Sequence, residues 1–492
     1  MSEVSFSKVL PPAALLAALA AACGGPSTPS PFVSGEPDGG SPSSSGAPAP
    51  SLGAGSSASS SSVTGGGGCT GIACAVPPCA GGGTTTISGT VYDPAGKNPL
   101  YDVGVFVPQS AVQPMPSGAT CDCASLYTGD PLVSALTDAS GHFTLQGVPS
   151  GANVPLVVQV GKWRMQTTLA NVTACQDNPQ PAGTLRLPRN RAEGDIPNVA
   201  ISTGGADSLE CLLRRVGVDA AEYGPGGSGA GHLHIFTGAS ELQGVSVPGV
   251  GMLGTVPDTS PSAPTSASAL WDSSKDLAPY DMVLLSCEGQ ETSNMNQQAL
   301  FDYAAAGGRV FASHFHYAWF DTGPFGAANL ATWTTGSNDM GNIGATIVTS
   351  FPKGQALAQW LGNVGALSSG ELPIQEARHN ADVGASNTVS QAWISADSSA
   401  SPPQATEYFT FNTPIGVDAT KQCGRVVYSD LHVGAASNDY AADPLDPIVP
   451  TGCGDGDLSP QEKALEFMLF DLSACVISDG QAPSAPPVTA PK

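Results

Sequence analysis

From residue 198 to residue 472 the chain repeats one cadence: a short apolar run, a glycine or polar break, then a segment with helical spacing. Asn198–Ser202 (NVAIS) leads through Gly204, Gly205, Ala206, Asp207 and Ser208 into an amphipathic stretch, Leu209–Val216, with Asp207 or Ser208 as its N-cap. His232–Phe236, Tyr280–Gly289 (ending in a glycine turn), Arg309–Ser313 and Gly424–Asp430 read as further strands. Asn296–Ala306, a segment around Ala356–Leu361, and Pro460–Leu472 read as helices, the last opened by Ser459-Pro460-Gln461-Glu462 in capping-box form. Strands that alternate with helices predict a doubly wound α/β fold on a parallel sheet. This domain is assigned to residues 195–475, with the 321–420 stretch as a long excursion containing a hairpin near Tyr408–Phe411.

A different texture precedes it. Between residues 86 and 188 short alternating segments are separated by turns. Ile87–Asp93 is closed by Pro94-Ala95-Gly96, Val103–Val107 follows, and the turn Thr137–Gly141 feeds another strand ahead of Pro155–Val160. Turn signals at such intervals predict an all-β sandwich. Residues 24–85 are Gly, Ser, Pro and Ala with almost no apolar pattern, and residues 476–492 are similar. Both are expected to be disordered, a tether and a tail, because such segments bury too little surface to offset their conformational entropy. The whole chain has 492 residues, 41% of them hydrophobic, and a net charge of −24 concentrated in the second domain. That charge argues against nucleic-acid binding, which needs clustered Lys and Arg.

The chain begins like an export substrate. Val9–Ala22 is an alanine-rich apolar run of signal-peptide length, too short to span a bilayer. It ends in Leu19-Ala20-Ala21-Ala22-Cys23, which resembles the lipobox of bacterial lipoproteins. That resemblance implies a signal peptide over residues 1–23, acylation of Cys23, and a membrane-anchored protein of the cell envelope, at the outer membrane or cell surface. An oxidising compartment makes disulfides the default for the other eleven cysteines, and their odd number leaves at least one unpaired within the chain. Cys121, Cys123 and Cys175 are expected to staple an insertion in the sandwich. Cys423 begins a strand and Cys475 ends the following helix, so both should lie at one sheet edge and are the first choice of pair. Closing that loop would contribute about 4 kcal/mol in the chain-entropy model. Cys211, Cys287 and Cys453 belong towards the opposite edge, where two can pair and one remains.

The chemistry-bearing stretch is Gly307–Phe320 (GGRVFASHFHYAWF). Two histidines, His314 and His316, follow a strand at the end where ligand chemistry collects in open α/β sheets. Asp430 and His432 follow the last strand in the same way. An i, i+2 pair continuing a strand shares one face, so His314, His316 and His432 are the candidate catalytic set, with Asp430 beside them. No cofactor is demanded by the sequence; zinc is the metal this spacing would suit. Glu288, Tyr317 and Trp319 are candidate binding residues, the two aromatics as a platform for a saccharide. Cys287, in Leu285-Ser286-Cys287-Glu288-Gly289, is expected to be a disulfide partner or an inert buried thiol rather than a nucleophile.

Two resemblances extend this reading. Gly89-Thr90-Val91 with Asp93 and Gly96, then Thr137-Asp138 with Gly141, Phe143, Leu145, Val148-Pro149 and Gly151, resemble carboxypeptidase regulatory-like domains. That implies a transthyretin-like sandwich used as a non-catalytic spacer or adhesive element. The order of elements over 195–475 resembles the class I glutamine-amidotransferase-like fold, of flavodoxin-like build, and its ThuA-like branch. There Ala312-Ser313-His314-Phe315-His316 stands where amidotransferases place the elbow with its nucleophilic cysteine, and ThuA-like proteins also have histidine at that point. His432 corresponds to the histidine of the last strand. With no cysteine at the elbow, no glutamyl thioester can form. The resemblance therefore implies a non-catalytic binding or scaffolding role for a saccharide or an envelope protein. The alternative is a hydrolase-like enzyme built on the three histidines, with or without metal.

Overall fold

The computed structural model describes residues 71–121, 123–204, 206–227, 231–238, 265–396, 405–432 and 456–490, with the backbone of 246–247 and 251–252. The lipidation site Cys23, together with Cys69 and Cys453, lies outside the described residues.

Two β-sheets form the first half. They contain strands β1 (Thr86–Tyr92), β2 (Gly104–Pro108), β3 (Pro131–Leu136), β4 (His142–Gln146), β5 (Gly151–Val160) and β6 (Trp163–Val172). One sheet runs β3-β2-β5-β6 and the other is built on β4-β1. The burial of β1 and β4 alternates residue by residue, as a strand with one wet face must. Ile87, Val91, Phe143, Leu145 and Val158 fill the space between the sheets.

The second half centres on one mixed sheet. Its strands are β7 (Val199–Ser202), β8 (Tyr223–Pro225), β9 (Leu233–Phe236), β10 (Met282–Leu285), β11 (Arg309–Ser313), β12 (Asp339–Ile347), β13 (Leu372–Arg378), β14 (Ser390–Ala396), β15 (Thr406–Thr413) and β16 (Gly424–Ser429). They lie in the order β8-β9-β7-β10-β11-β16-β15-β14-β12-β13. The first six are parallel, as expected. The remaining four are antiparallel, so the expectation of a parallel sheet holds for only part of it. The segment expected to be an excursion supplies that antiparallel half. Among the described residues no crossover α-helix lies between β15 and β16, and short connections can join only antiparallel neighbours.

Helices α1 (Leu209–Val216), α2 (Gln297–Ala305), α3 (Pro352–Asn363) and α4 (Pro460–Ser473) cover the sheet. Helix α4 starts with the anticipated capping box, Ser459 and Glu462 each satisfying the other's backbone, and with proline at N1. Helices α1, α3 and α4 belong to the same apolar core as the sandwich interior, whereas α2 packs on the other face with Val283, Val310 and Trp319. Trp163 of the sandwich meets Phe470 of α4 edge-on at 5.9 Å, and Tyr101 stacks on Phe467 at 5.6 Å. The contact is tight enough to exclude a side chain at Gly217, whose Cβ would come within 2.3 Å of the Ala95 nitrogen.

The cysteines also bind the two halves together. Cys121 pairs with Cys423 and Cys123 with Cys475. This corrects the Cys423–Cys475 pairing: both do reach one edge, but the Cys121 and Cys123 loop of the sandwich lies there and takes each of them. Cys175 pairs with Cys79 rather than with the insertion. Cys74 and Cys211 are disulfide-bonded as well, and Cys287 is free. The end of the expected tether is thus ordered, with turns at Gly71–Ala75 and Ala80–Gly82. The expected disordered tail also follows a defined path over residues 476–490. Asp479 pairs with Arg425 at 2.7 Å, and the Thr489 amide donates to Pro131 O at 2.7 Å. Its prolines lower the entropy lost on docking.

Candidate metal-binding site

The carboxyl ends of β10, β11 and β16 lie side by side, and each strand delivers one donor. Past β10 comes Cys287, past β11 His314, past β16 His432. The Sγ of Cys287 is 3.4 Å from Nδ1 of His314, and the rings of His314 and His432 are 5.0 Å apart. One ligand atom from each of the three lies within 4.8 Å of the others, and all three residues are buried. This Cys/His/His cluster could hold a metal ion. A tetrahedral ion at about 2.0–2.3 Å from each donor would draw them somewhat closer.

Several contacts set this geometry. The Cys287 amide donates to Ser313 Oγ at 3.0 Å, and the Cys287 carbonyl accepts from the Ala206 amide at 3.0 Å. Gly204 lies against that carbonyl so closely that a Cβ would sit 2.1 Å from the oxygen. Ser313 Oγ in turn donates to Asp207 Oδ2 at 2.8 Å. His314 has φ of +44°, in the left-handed region, so the chain turns sharply as it leaves the strand. The Tyr428 hydroxyl lies 2.8 Å from the His314 carbonyl and 2.7 Å from Asp430 Oδ1, tying the two strand ends together. His314 Nε2 lies 3.2 Å from Ser337 O. A proton on Nε2 donated to that carbonyl leaves the Nδ1 lone pair facing Cys287, the usual second partner of a metal-bound imidazole.

The electrostatics favour neutral imidazoles. Burial, then the nearby Arg378 guanidinium, push His314 down to about 3. Burial followed by His314 and Arg378 hold His432 well below the ordinary range. Both therefore keep a lone pair at neutral pH. Burial pushes the Cys287 thiol up to about 12. No nucleophilic thiolate exists there without a cation, while a bound cation would ionise it. The His432 Nε2 atom is buried and has no hydrogen-bond partner among the described residues. An unpartnered nitrogen, a second imidazole and a soft sulfur fit a zinc-like ion.

Carboxyl groups complete the surroundings. Burial pushes Asp430 up to about 7, with the Tyr428 hydroxyl and the Asn380 amide (2.9 Å) opposing it. Glu407 is wholly buried, and neither carboxylate oxygen has a partner among the described residues. Burial, then the Asp430 charge, raise its pKa well above the ordinary carboxylate value.

The anticipated trio of histidines does not form. β11 ends at Ser313, and His314–Trp319 is a 3₁₀ turn. With three residues per turn, positions i and i+2 diverge instead of sharing a face. His316 turns away, its Nδ1 3.0 Å from Ser313 O. Cys287 takes its place: it is not a disulfide partner but the buried free thiol of the other expectation, and it lies beside His314. Tyr317 and Trp319 are core residues with no exposed face to offer a sugar: the Tyr317 hydroxyl bonds Glu291, and Trp319 packs edge-on against Trp271 at 5.1 Å. Glu288 is buried, within 3.3 Å of the Thr292 hydroxyl. Glu407 carried no motif. The only sequence signal for it was its position as the one charged residue of a strand rich in aromatic residues and threonine.

No protein family and no curated protein matches the chain. Among solved structures, an N-terminal interface mutant of a type II cohesin–X-dockerin complex from Acetivibrio cellulolyticus aligns at 16% identity over 30% of this chain and 78% of that one, with a TM-score of 0.15. The C-terminal interface mutant gives the same identity and coverage at 0.14. A 9R-lipoxygenase from Cyanothece PCC8801 aligns at 14% over 27% and 22%, at 0.12. Scores this low carry no argument. Among the described residues no helix is long and apolar enough to cross a membrane.

Proposed function

We propose that the chain is an exported cell-envelope lipoprotein, anchored through Cys23, that acts as a metal-assisted hydrolytic enzyme through Cys287, His314 and His432. The convergence of these three donors carries the reading. Cys287, His314 and His432 would hold a zinc-like ion, and such an ion would supply Lewis-acid activation of water when bound. The chain's own residues prepare the site: Ser313 and Ala206 hold the cysteine, Ser337 orients His314, and the Glu407 and Asp430 carboxyls lie at neighbouring strand ends. The disulfides support an oxidising compartment. The left-handed turn at His314 supports kinship with the amidotransferase-like and ThuA-like elbow, since that elbow is a strained strand-to-helix turn. The sandwich would then serve as the carboxypeptidase regulatory-like, transthyretin-like spacer that holds the site away from the membrane.

One observation favours a second reading, a non-catalytic binding or scaffolding protein for a saccharide or an envelope partner. Each of the three donors is 2% exposed or less, and a closed metal site is structural. Metal analysis of the full chain, purified without added metal, tests both. The expected result is about one zinc per chain, lost in Cys287→Ser and in His432→Ala. No metal in the natural protein, or full retention in both variants, would sink the assignment. Substitution by Co(II) then separates the readings. A visible spectrum that shifts when azide is added marks an open position and the enzyme; an unresponsive spectrum marks a closed site and the scaffold.

A further inference from the structure

At the opposite edge of the sheet, where the parallel strands begin, a cavity of about 290 Å³ lies between the sandwich and the α/β layer. Its walls come from the loop with Cys121, the turn at Gly161 and Lys162, the starts of β10 and β11 at Asp281 and Arg309, and Gln422. The volume is that of roughly ten water molecules, enough for an organic acid of a few carbons.

Two cations reach this space and are compensated differently. Lys162 Nζ donates to Gly118 O at 2.6 Å and pairs with the Asp281 carboxylate, so its charge is balanced locally. Arg309 donates to Cys423 O at 2.9 Å and to Ala474 O at 3.2 Å. Both acceptors are uncharged carbonyls, and among the described residues no carboxylate makes an ion pair with Arg309. Burial and the neighbouring Arg425 lower its pKa only to about 10, so the guanidinium is charged at neutral pH. Arg309 is half-buried, and Asp471 and Asp281 act on it electrostatically, but its direct hydrogen-bond partners are carbonyls, which leaves its fork without a bound carboxylate. Arg164, Arg215 and Arg425, by contrast, each bind a carboxylate directly: Arg164 pairs with Asp195, Arg215 with Glu462, and Arg425 with Asp471 and Asp479.

We infer that this cavity binds a small carboxylic acid whose carboxylate pairs with Arg309. The guanidinium fork suits a planar carboxylate. Gln422 and the Lys162–Asp281 pair offer polar groups to the remainder of such a ligand. The site is independent of the Cys/His/His cluster, being at the other end of the same strands, and does not depend on the metal reading.

Calorimetric titration of the full chain with acetate, succinate and inorganic phosphate, at constant ionic strength in chloride, tests this. Saturable binding of succinate is expected, at least tenfold weaker in Arg309→Gln and unchanged in His314→Ala. Because Arg309 also holds two carbonyls, Ala119→Leu gives a second reading: it narrows the cavity, leaves every charge in place, and should weaken binding similarly with the circular dichroism unchanged. Absence of saturable binding by either acid, binding unaltered in both cavity variants, or binding confined to phosphate would each overturn the proposal.

Discussion

His314 carries a backbone cost as well as a ligand role. A non-glycine residue at φ of +44° gives up about 1–2 kcal/mol relative to ordinary geometry, and the Tyr428 hydroxyl on its carbonyl helps hold it there. Replacing it with glycine or alanine removes the imidazole equally, yet only glycine accepts this turn without strain. Metal-free His314→Gly should therefore be more stable than His314→Ala by about 1 kcal/mol, measured by urea unfolding. Equal stabilities would mean that the turn relaxes once the ring is gone. The positions of His314 and His432 were legible in the sequence because each follows an apolar strand directly. His316 was misplaced because nothing in HFHYAW announces where a strand yields to a 3₁₀ turn. Cys287 was visible as the second residue past β10, but its role depended on which neighbouring strand ends faced it.

Helix α4 shows what the sequence pattern reveals at the level of an element and what it hides. Its start, capping box and length were all readable. Its buried acids were not, since their partners come from distant segments. Glu466 is wholly buried, accepts from the Asn98 amide at 2.7 Å, and faces Asp93 in the first turn of the sandwich. Burial followed by the Asp93 charge raises its pKa well above the usual carboxylate value; burial raises Asp93 too. An acid whose folded pKa is raised binds more protons folded than unfolded. Stability is therefore greatest below the unfolded pKa, about 4.3, and falls as pH rises through the folded value. Glu466→Gln mimics the protonated acid and can still accept from Asn98. Against the natural protein it should be near neutral at about pH 4 and more stable at about pH 8, as read by thermal unfolding at the two pH values. An unchanged pH dependence would remove Glu466 as its source.

The whole molecule is less modular than its sequence texture suggests. The alternating and strand–helix regions were distinguishable, yet the side chains between them form one core, and no periodicity marks which apolar face meets which. The antiparallel half of the sheet escaped notice for a related reason: β12 to β15 are bounded by long polar loops that read as an excursion. The two cysteine links closing 302 and 352 residues fasten the halves covalently. In the chain-entropy model the first contributes roughly 5 kcal/mol, and the second less because the two loops overlap and the first link already brings the ends of the second closer. Replacing Cys121 and Cys123 together by serine should lower the thermal midpoint by well over 10 °C, with the Cys79–Cys175 link intact by mass mapping. A shift of only a degree or two would show that packing alone joins the halves.

Those same long links impose an order on biogenesis. A chain threaded outward from its amino end presents Cys79 and Cys175 within 96 residues of each other, so that pair can oxidise while synthesis continues. Cys121 and Cys123 emerge between them and must wait as thiols until residues 423 and 475 arrive. Every early encounter with Cys79 or Cys175 is a mispairing that has to be undone. Maturation thus depends on thiol–disulfide exchange as well as oxidation, and a host without a disulfide isomerase should accumulate scrambled, protease-sensitive chains.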